Sequence, residues 1–242
     1  MISSLAPGSL MNFRDLGGAP TRDGVVARGR LFRTAHLSDL DHESAAHLHG
    51  VLGIRAYLDF RAEPEITRDG APQRLLERGV RWQRHPFDIS DTAFQALRVP
   101  QPGDWQALYE RALGRLRPEL AGAIRAIAEH EDPIVFGCWA GKDRTGMVSG
   151  LLLSLLGVDD AWIAEEYAKT TQSLLPHKHR FSFLWKDEPA REPELLRAHL
   201  HTDPRTMIGL LRAARERFGT VNDALDLPDA VIARLRARYL VG

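Results

Sequence analysis

The chain has a single cysteine, Cys138, in 242 residues. No internal disulfide can form, which fits a reducing compartment. The fold must then rest on apolar packing, and a hydrophobic fraction of 44% is ordinary for that purpose. Lysine is scarce, at positions 142, 169, 178 and 186 only, so 28 of the 32 basic residues are arginine. They are balanced by 32 acidic residues, for a net charge of +0. No global field draws the chain to nucleic acid or to an acidic membrane surface, and neither is expected as a partner. No apolar run approaches the ~18 residues of a membrane span, so no integral membrane contact is expected. The most apolar segment, Met147 to Val158, reads as a buried helix. The opening Met-Ile-Ser-Ser-Leu-Ala-Pro-Gly has no basic stretch followed by an apolar one. It does not resemble a secretory signal, and a cytoplasmic location is expected. There is no repeat, low-complexity tract or long linker, so residues 1–242 are read as one domain.

What the chain does have is Cys-Trp-Ala-Gly-Lys-Asp-Arg-Thr-Gly at residues 138–146. Upstream, Ile134-Val135-Phe136 suits a buried strand; downstream, Met147, Val148, Leu151, Leu152 and Leu155 recur at helical spacing. The loop between them therefore sits at a helix N-terminus, where backbone N–H groups and the helix dipole favour an anion. The same field favours a thiolate. Arg144 adds a planar fork matched to two phosphate oxygens. A nucleophile, an anion cradle and a guanidinium clamp within seven residues suit thiolate attack on a phosphate monoester. A buried structural Cys138 would leave Gly141, Lys142, Asp143, Arg144 and Thr145 unexplained together. An ATP-binding loop needs four residues between its glycines and Ser or Thr after the lysine. Here Gly137 and Gly141 enclose three residues, and Asp143 follows Lys142.

Along the chain, Gly24 to Arg33 reads as a hairpin turning near Arg28-Gly29. Ser38 or Asp39 is a candidate cap for a short helix ending near His49-Gly50. Ile54 to Phe60 and Val80 to His85 read as strands, with Asp59 at the C-terminal end of the first. Residues 104–115, 120–130 and 159–170 read as helices, and 206–241 as two or three closing helices. Alternating strands and helices predict an α/β fold: a central sheet flanked by helices, with the loop outside a strand's C-terminal edge. Residues 173–205 are polar, with Pro176, Pro189, Pro193 and Pro204 and the aromatics Phe181, Phe183 and Trp185. They form either an exposed connector or a helical lid insert. His42-Glu43-Ser44-Ala45-Ala46-His47 is similar to a zinc-protease motif, but its histidines lie five apart instead of four, about 100° further round a helix. No metal and no cofactor is expected.

The 138–146 loop resembles the Cys-x5-Arg loop of cysteine-dependent protein tyrosine phosphatases. Its Gly-Lys-Asp-Arg-Thr form resembles a bacterial branch, the tyrosine and phosphoinositide phosphatases related to the mycobacterial secreted enzyme. Asn12-Phe13-Arg14-Asp15-Leu16-Gly17-Gly18, Leu31-Phe32-Arg33-Thr34-Ala35, Leu58-Asp59-Phe60-Arg61 with Glu65, and Arg217-Phe218-Gly219-Thr220-Val221 extend the match over nearly the whole chain. The resemblance implies a phosphatase-like domain with a helical cover at 173–205 and C-terminal helices. It implies Cys138 as nucleophile, Arg144 as phosphate clamp and Thr145 as a donor to the sulfur when water cleaves the phosphocysteine. Trp139, Ala140, Gly141 and Lys142 would supply the cradle. Lys142 would also meet extra phosphates on an inositol ring, and Arg14 would serve the substrate-binding region, bracing the loop with Asp15. A general acid is needed for the leaving oxygen; Asp143 leads and Asp59 is the alternative. The substrate would be a phosphorylated protein, a phosphoinositide or a small phosphate ester. A small-metabolite phosphatase or a phosphate-binding module without turnover are the other readings. The family carries His immediately before the nucleophile where this chain has Gly137; a ring restored there is expected to help hold the loop around the sulfur if the pocket accommodates it, and to clash if the glycine leaves room for a bulkier neighbour such as Trp139.

Overall fold

The structure is a computed structural model that describes residues 10–97 and 99–242. The opening segment read for an export signal lies outside the described residues. The strands are β1 (Arg14–Asp15), β2 (Pro20–Thr21), β3 (Gly24–Val26), β4 (Leu31–Thr34), β5 (Ala56–Asp59), β6 (Arg81–Arg84), β7 (Ile134–Gly137) and β8 (Leu240–Val241). The main sheet has the order β1-β4-β7-β5-β6. Its β4, β7, β5 and β6 are parallel, and β1 is antiparallel to β4. A small second sheet is ordered β2-β3-β8.

Between β4 and β5, α1 (His42–Ala46) runs into a π turn at His47–Val51. Next come α2 (Glu63–Asp69), α3 (Gln73–Leu76), α4 (Thr92–Gln95), α5 (Pro102–Arg115) and α6 (Arg117–Glu129). After β7 follow α7 (Asp143–Leu155) and α8 (Asp160–Leu174), then 3-10 turns at Leu175–Leu184 and Pro189–Arg191. The chain closes with α9 (Glu192–Leu200), α10 (Pro204–Phe218), α11 (Val221–Leu225) and α12 (Asp229–Tyr239).

Strand alternation divides the core. Leu31, Ala56, Leu58, Ile134 and Phe136 face α5 to α8 and α10. Phe32, Tyr57 and Val135 face the other way, onto Leu37, Leu48, Ile54, Leu75 and Val80. Strand β7 has neighbours on both edges and layers on both faces, so it is continuously apolar. Helix α7 is buried nearly all round for the same reason, which explains its lack of a polar stripe. A third apolar cluster joins Ala140 to Leu174, Phe181, Trp185, Leu195 and Leu200, with Trp139 packed on it. That cluster seats the 175–200 segment against the loop after β7.

Two local expectations change. Residues 24–33 are not one hairpin: β3 pairs with β2 and β8, while β4 pairs with β1 and β7. The fully buried Leu31 and Phe32 take β4 into the main sheet. Asp15 pins the crossing, its carboxylate accepting from the N–H groups of Gly17 and Gly29, each at 2.8 Å. The cap of α1 is Asp41, which accepts from Ser44 N–H at 2.6 Å, not Ser38 or Asp39.

Candidate active site

Strand β7 ends at Gly137 and α7 starts at Asp143, so residues 138–142 curl at the sheet's C-terminal edge. Gly141 makes the curl possible with φ of +66°, and a Cβ there would lie 2.4 Å from the Thr34 carbonyl oxygen. The loop carbonyls are tied outward. That of Trp139 accepts from His36 N–H at 3.1 Å, and that of Ala140 from Asn12 Nδ2 at 3.0 Å. That of Gly141 accepts from Asn12 Nδ2 at 2.8 Å and from an Arg33 terminal nitrogen at 2.6 Å. A trans peptide points its N–H opposite to its C=O. Tying back these three carbonyls therefore turns the N–H groups of Ala140, Gly141 and Lys142 to the inner side of the loop, beside Cys138 and the α7 N-terminus.

The ties are themselves braced. Arg14 donates to Asn12 Oδ1 and to Glu166, and Arg33 donates to the other Glu166 oxygen at 2.8 Å. Burial works to raise the Glu166 carboxyl, but the charges of Arg14 and then Arg33 outweigh it and hold it below the ordinary value. Burial, then the neighbouring Arg33, brings Arg14 down to about 10.

Arg144 is aimed by Glu65, which accepts two parallel bonds at 2.5 and 2.6 Å; the Phe60 carbonyl accepts a third at 3.2 Å. Glu65 is fixed in turn by the Ala62 N–H at 2.8 Å. Burial works to raise the Glu65 carboxyl and to lower the Arg144 guanidinium. Their mutual bonds win on both sides, so the carboxyl is lowered and the guanidinium raised. Cys138, 2% exposed, lies with Asp143 and Arg144 in a cavity of about 170 Å³ whose other walls include Ile89, Phe94, Trp105 and Trp139. A buried thiol facing inward amides, a forked cation and a carboxyl in one small cavity form a site for a tetrahedral anion.

Comparison with known proteins agrees. Residues 6–241 match the model of the tyrosine phosphatase family. The chain belongs to that family. A candidate tyrosine-protein phosphatase of Cupriavidus necator is 29% identical over 262 residues, covering 98% of this chain and 89% of that one. The triple specificity protein phosphatase PtpB of Mycobacterium tuberculosis is 29% identical over 246 residues, covering 89% and 86%. The crystal structure of P. aeruginosa TpbA is similar at 18% identity and a TM-score of 0.39, over 63% of this chain and 77% of that one.

In this cysteine-based phosphatase, Cys138, Trp139, Ala140, Asp143 and Arg144 line the cavity. Gly141 shapes the loop from behind. Thr145 is fully buried, and its hydroxyl has no hydrogen-bond partner among the described residues. Lys142 does not line the cavity. Its ammonium donates to the His199 carbonyl at 2.6 Å, sits 3.4 Å from the Trp105 ring centroid and lies 3.5 Å from Asp143 Oδ1. Burial lowers its pKa, with Asp143 opposing. Arg14 braces Asn12 and Glu166 and does not line the cavity.

Asp59 does not line the cavity with Cys138. It is wholly buried, and Arg61 donates to both its oxygens, at 2.7 to 3.1 Å. The Arg61 N–H and Trp82 Nε1 each add a bond at 3.1 Å. Every face of that carboxylate is occupied. At Gly137 the space is taken by backbone. A Cβ there would meet the Thr34 and Ala35 carbonyl oxygens at 2.6 and 2.9 Å, so no ring fits without moving β4.

Glu65, Asn12 and Arg33 lay inside quoted motifs, but their tasks follow only from distance. Trp105 and Tyr109 had no signal beyond the apolar stripe of a helix. Trp105 also lines a second cavity, about 580 Å³, with Val99, Pro102, Arg197, His201 and Arg205 among others and none of residues 138–144. Among the described residues no three His, Cys, Asp or Glu side chains cluster as metal ligands, and no helix is long and apolar enough to cross a membrane.

Proposed function

We propose that this phosphatase cleaves phosphate monoesters carried on aromatic groups, phosphotyrosine first, through a phosphocysteine intermediate. The observation that carries the reading is the loop itself: its carbonyls are tied outward by His36, Asn12 and Arg33, and Arg144 is forked on Glu65 above Cys138. The flat walls of Phe94, Trp105 and Trp139 around that small cavity suit a phenyl ring. Cys138 Sγ attacks phosphorus. Arg144 and the inner amides hold the equatorial oxygens, which gain charge in the transition state. Asp143 protonates the leaving oxygen. The Thr145 hydroxyl, left free by the fold, donates to the sulfur as water releases phosphate.

The test is p-nitrophenyl phosphate turnover in EDTA. Cys138→Ser should abolish turnover while keeping vanadate binding, because the alcohol is a far weaker nucleophile in an intact cradle. Substantial residual hydrolysis rules out the phosphocysteine. The Mycobacterium tuberculosis relative is named for three specificities. A panel of phosphotyrosine, phosphoserine and phosphothreonine peptides, phosphoinositides and small phosphate esters measures the breadth here.

A further inference from the structure

The two oxygens of Asp143 are treated differently by the fold. Oδ1 accepts from the Tyr109 hydroxyl at 2.9 Å and has Lys142 Nζ at 3.5 Å. Oδ2 takes no hydrogen bond from the described residues. The Tyr109 hydroxyl is also 2.9 Å from that of Tyr167. The two tyrosines come from α5 and α8, are buried, and do not line the catalytic cavity.

A phenol has one proton to donate. Burial, then the Asp143 charge, pushes the Tyr109 phenol well above its ordinary value, and burial does the same for Tyr167, so both stay protonated. An ionised carboxylate only accepts. The Tyr109 proton is therefore given to Oδ1, and the Tyr109 oxygen accepts the Tyr167 proton. When Asp143 is protonated, Oδ1 already faces two donors, so the transferable proton resides on Oδ2.

The geometry points to Tyr109, backed by Tyr167, as a positioning residue for ester cleavage: it anchors Oδ1 so that Oδ2 carries the proton to the leaving oxygen. The inference rests on Asp143 as the acid. In the step, the Sγ–P bond forms as the P–O ester bond breaks. The electron pair of that bond goes to the ester oxygen, which takes the Oδ2 proton, and the resulting carboxylate is received by Tyr109 and Lys142.

The experiment is a series of aryl phosphates from poor to good leaving groups, read as kcat/KM for the full chain. In Tyr109→Phe, phenyl phosphate should lose about tenfold and 2,4-dinitrophenyl phosphate less than about twofold, since only the poor leaving group needs a well-placed proton. On an Asp143→Asn background the same substitution should add no further leaving-group dependence. An equal loss across the series in Tyr109→Phe overturns the positioning role, because a purely structural defect lowers all substrates alike. If Asp143→Asn itself gives an equal loss, the acid assignment falls and this inference with it. If Asp143→Asn is selective and Tyr109→Phe is not, the inference alone falls. Should Tyr109→Phe fail to fold, Tyr167→Phe serves the same series, with a smaller selective loss expected and a uniform one overturning the role.

Discussion

Gly137 gives a direct test of how tightly the loop is built into the sheet. It pairs with Thr34 on one side and Asp59 on the other, and the Phe60 N–H donates to its carbonyl at 2.8 Å. A methyl in place of its hydrogen would lie 2.6 Å from the Thr34 carbonyl oxygen and 2.9 Å from both the Ala35 oxygen and Thr34 Cγ2. Two of the three obstacles are backbone, and the same Thr34–Ala35 backbone also abuts Gly141. Relief therefore requires β4 to shift, and the catalytic loop with it. Overpacking of this kind costs about 1–3 kcal/mol. For a chain of this size that lowers Tm by roughly 2–12 °C. Gly137→Ala should show that loss in thermal and urea unfolding with an unchanged m value, together with reduced vanadate affinity. Gly137→His should be worse on both counts. A Gly137→Ala protein with wild-type Tm and turnover would show that the space exists and that the packing argument is wrong.

Two further outcomes follow from the side-chain geometry. Asp59→Asn removes a charge from the buried Arg61 pair and should destabilise the fold by about 3 kcal/mol. Its leaving-group dependence should stay that of the wild type, checked by urea unfolding and the aryl phosphate series. Lys142→Met keeps the stem against Trp105 but loses the bond to the His199 carbonyl. Amides of residues 192–201 should then exchange about ten- to a hundredfold faster, the worth of one charged hydrogen bond, read by hydrogen exchange mass spectrometry. Unchanged exchange would show that apolar packing alone seats α9.

The strand, loop and helix around Cys138 were legible because a buried parallel strand and a central helix both write continuous apolar runs, with chemistry-bearing residues between them. Asp143 and Arg144 followed from position in that loop. The pairing of β3 with β8 was not legible, since the two lie more than 200 residues apart and each is only two or three residues long. The direction of the Lys142 side chain was not legible for a related reason. Sequence places its Cα in the loop, but four methylenes carry the ammonium to Trp105 and the end of α9, and only the packed structure fixes that direction. Asp59 and Asp143 both end up beside a loop or strand terminus. What separates them is the bidentate Arg61 on the first, which depends on the burial of both partners.

The hydrogen bonds that open the loop inward also set when in folding it can exist. Arg33 and Asn12 reach Gly141 across 108 and 129 residues, and Arg33 meets Glu166 across 133. Contacts of such separation form after the chain has closed long loops, at an entropic cost that local helix formation does not carry. The anion site is thus a late product of assembly and not a property of the segment that spells it. A fragment retaining residues 134–155 alone keeps the motif, the strand and the helix former, but has nothing to turn its amides inward.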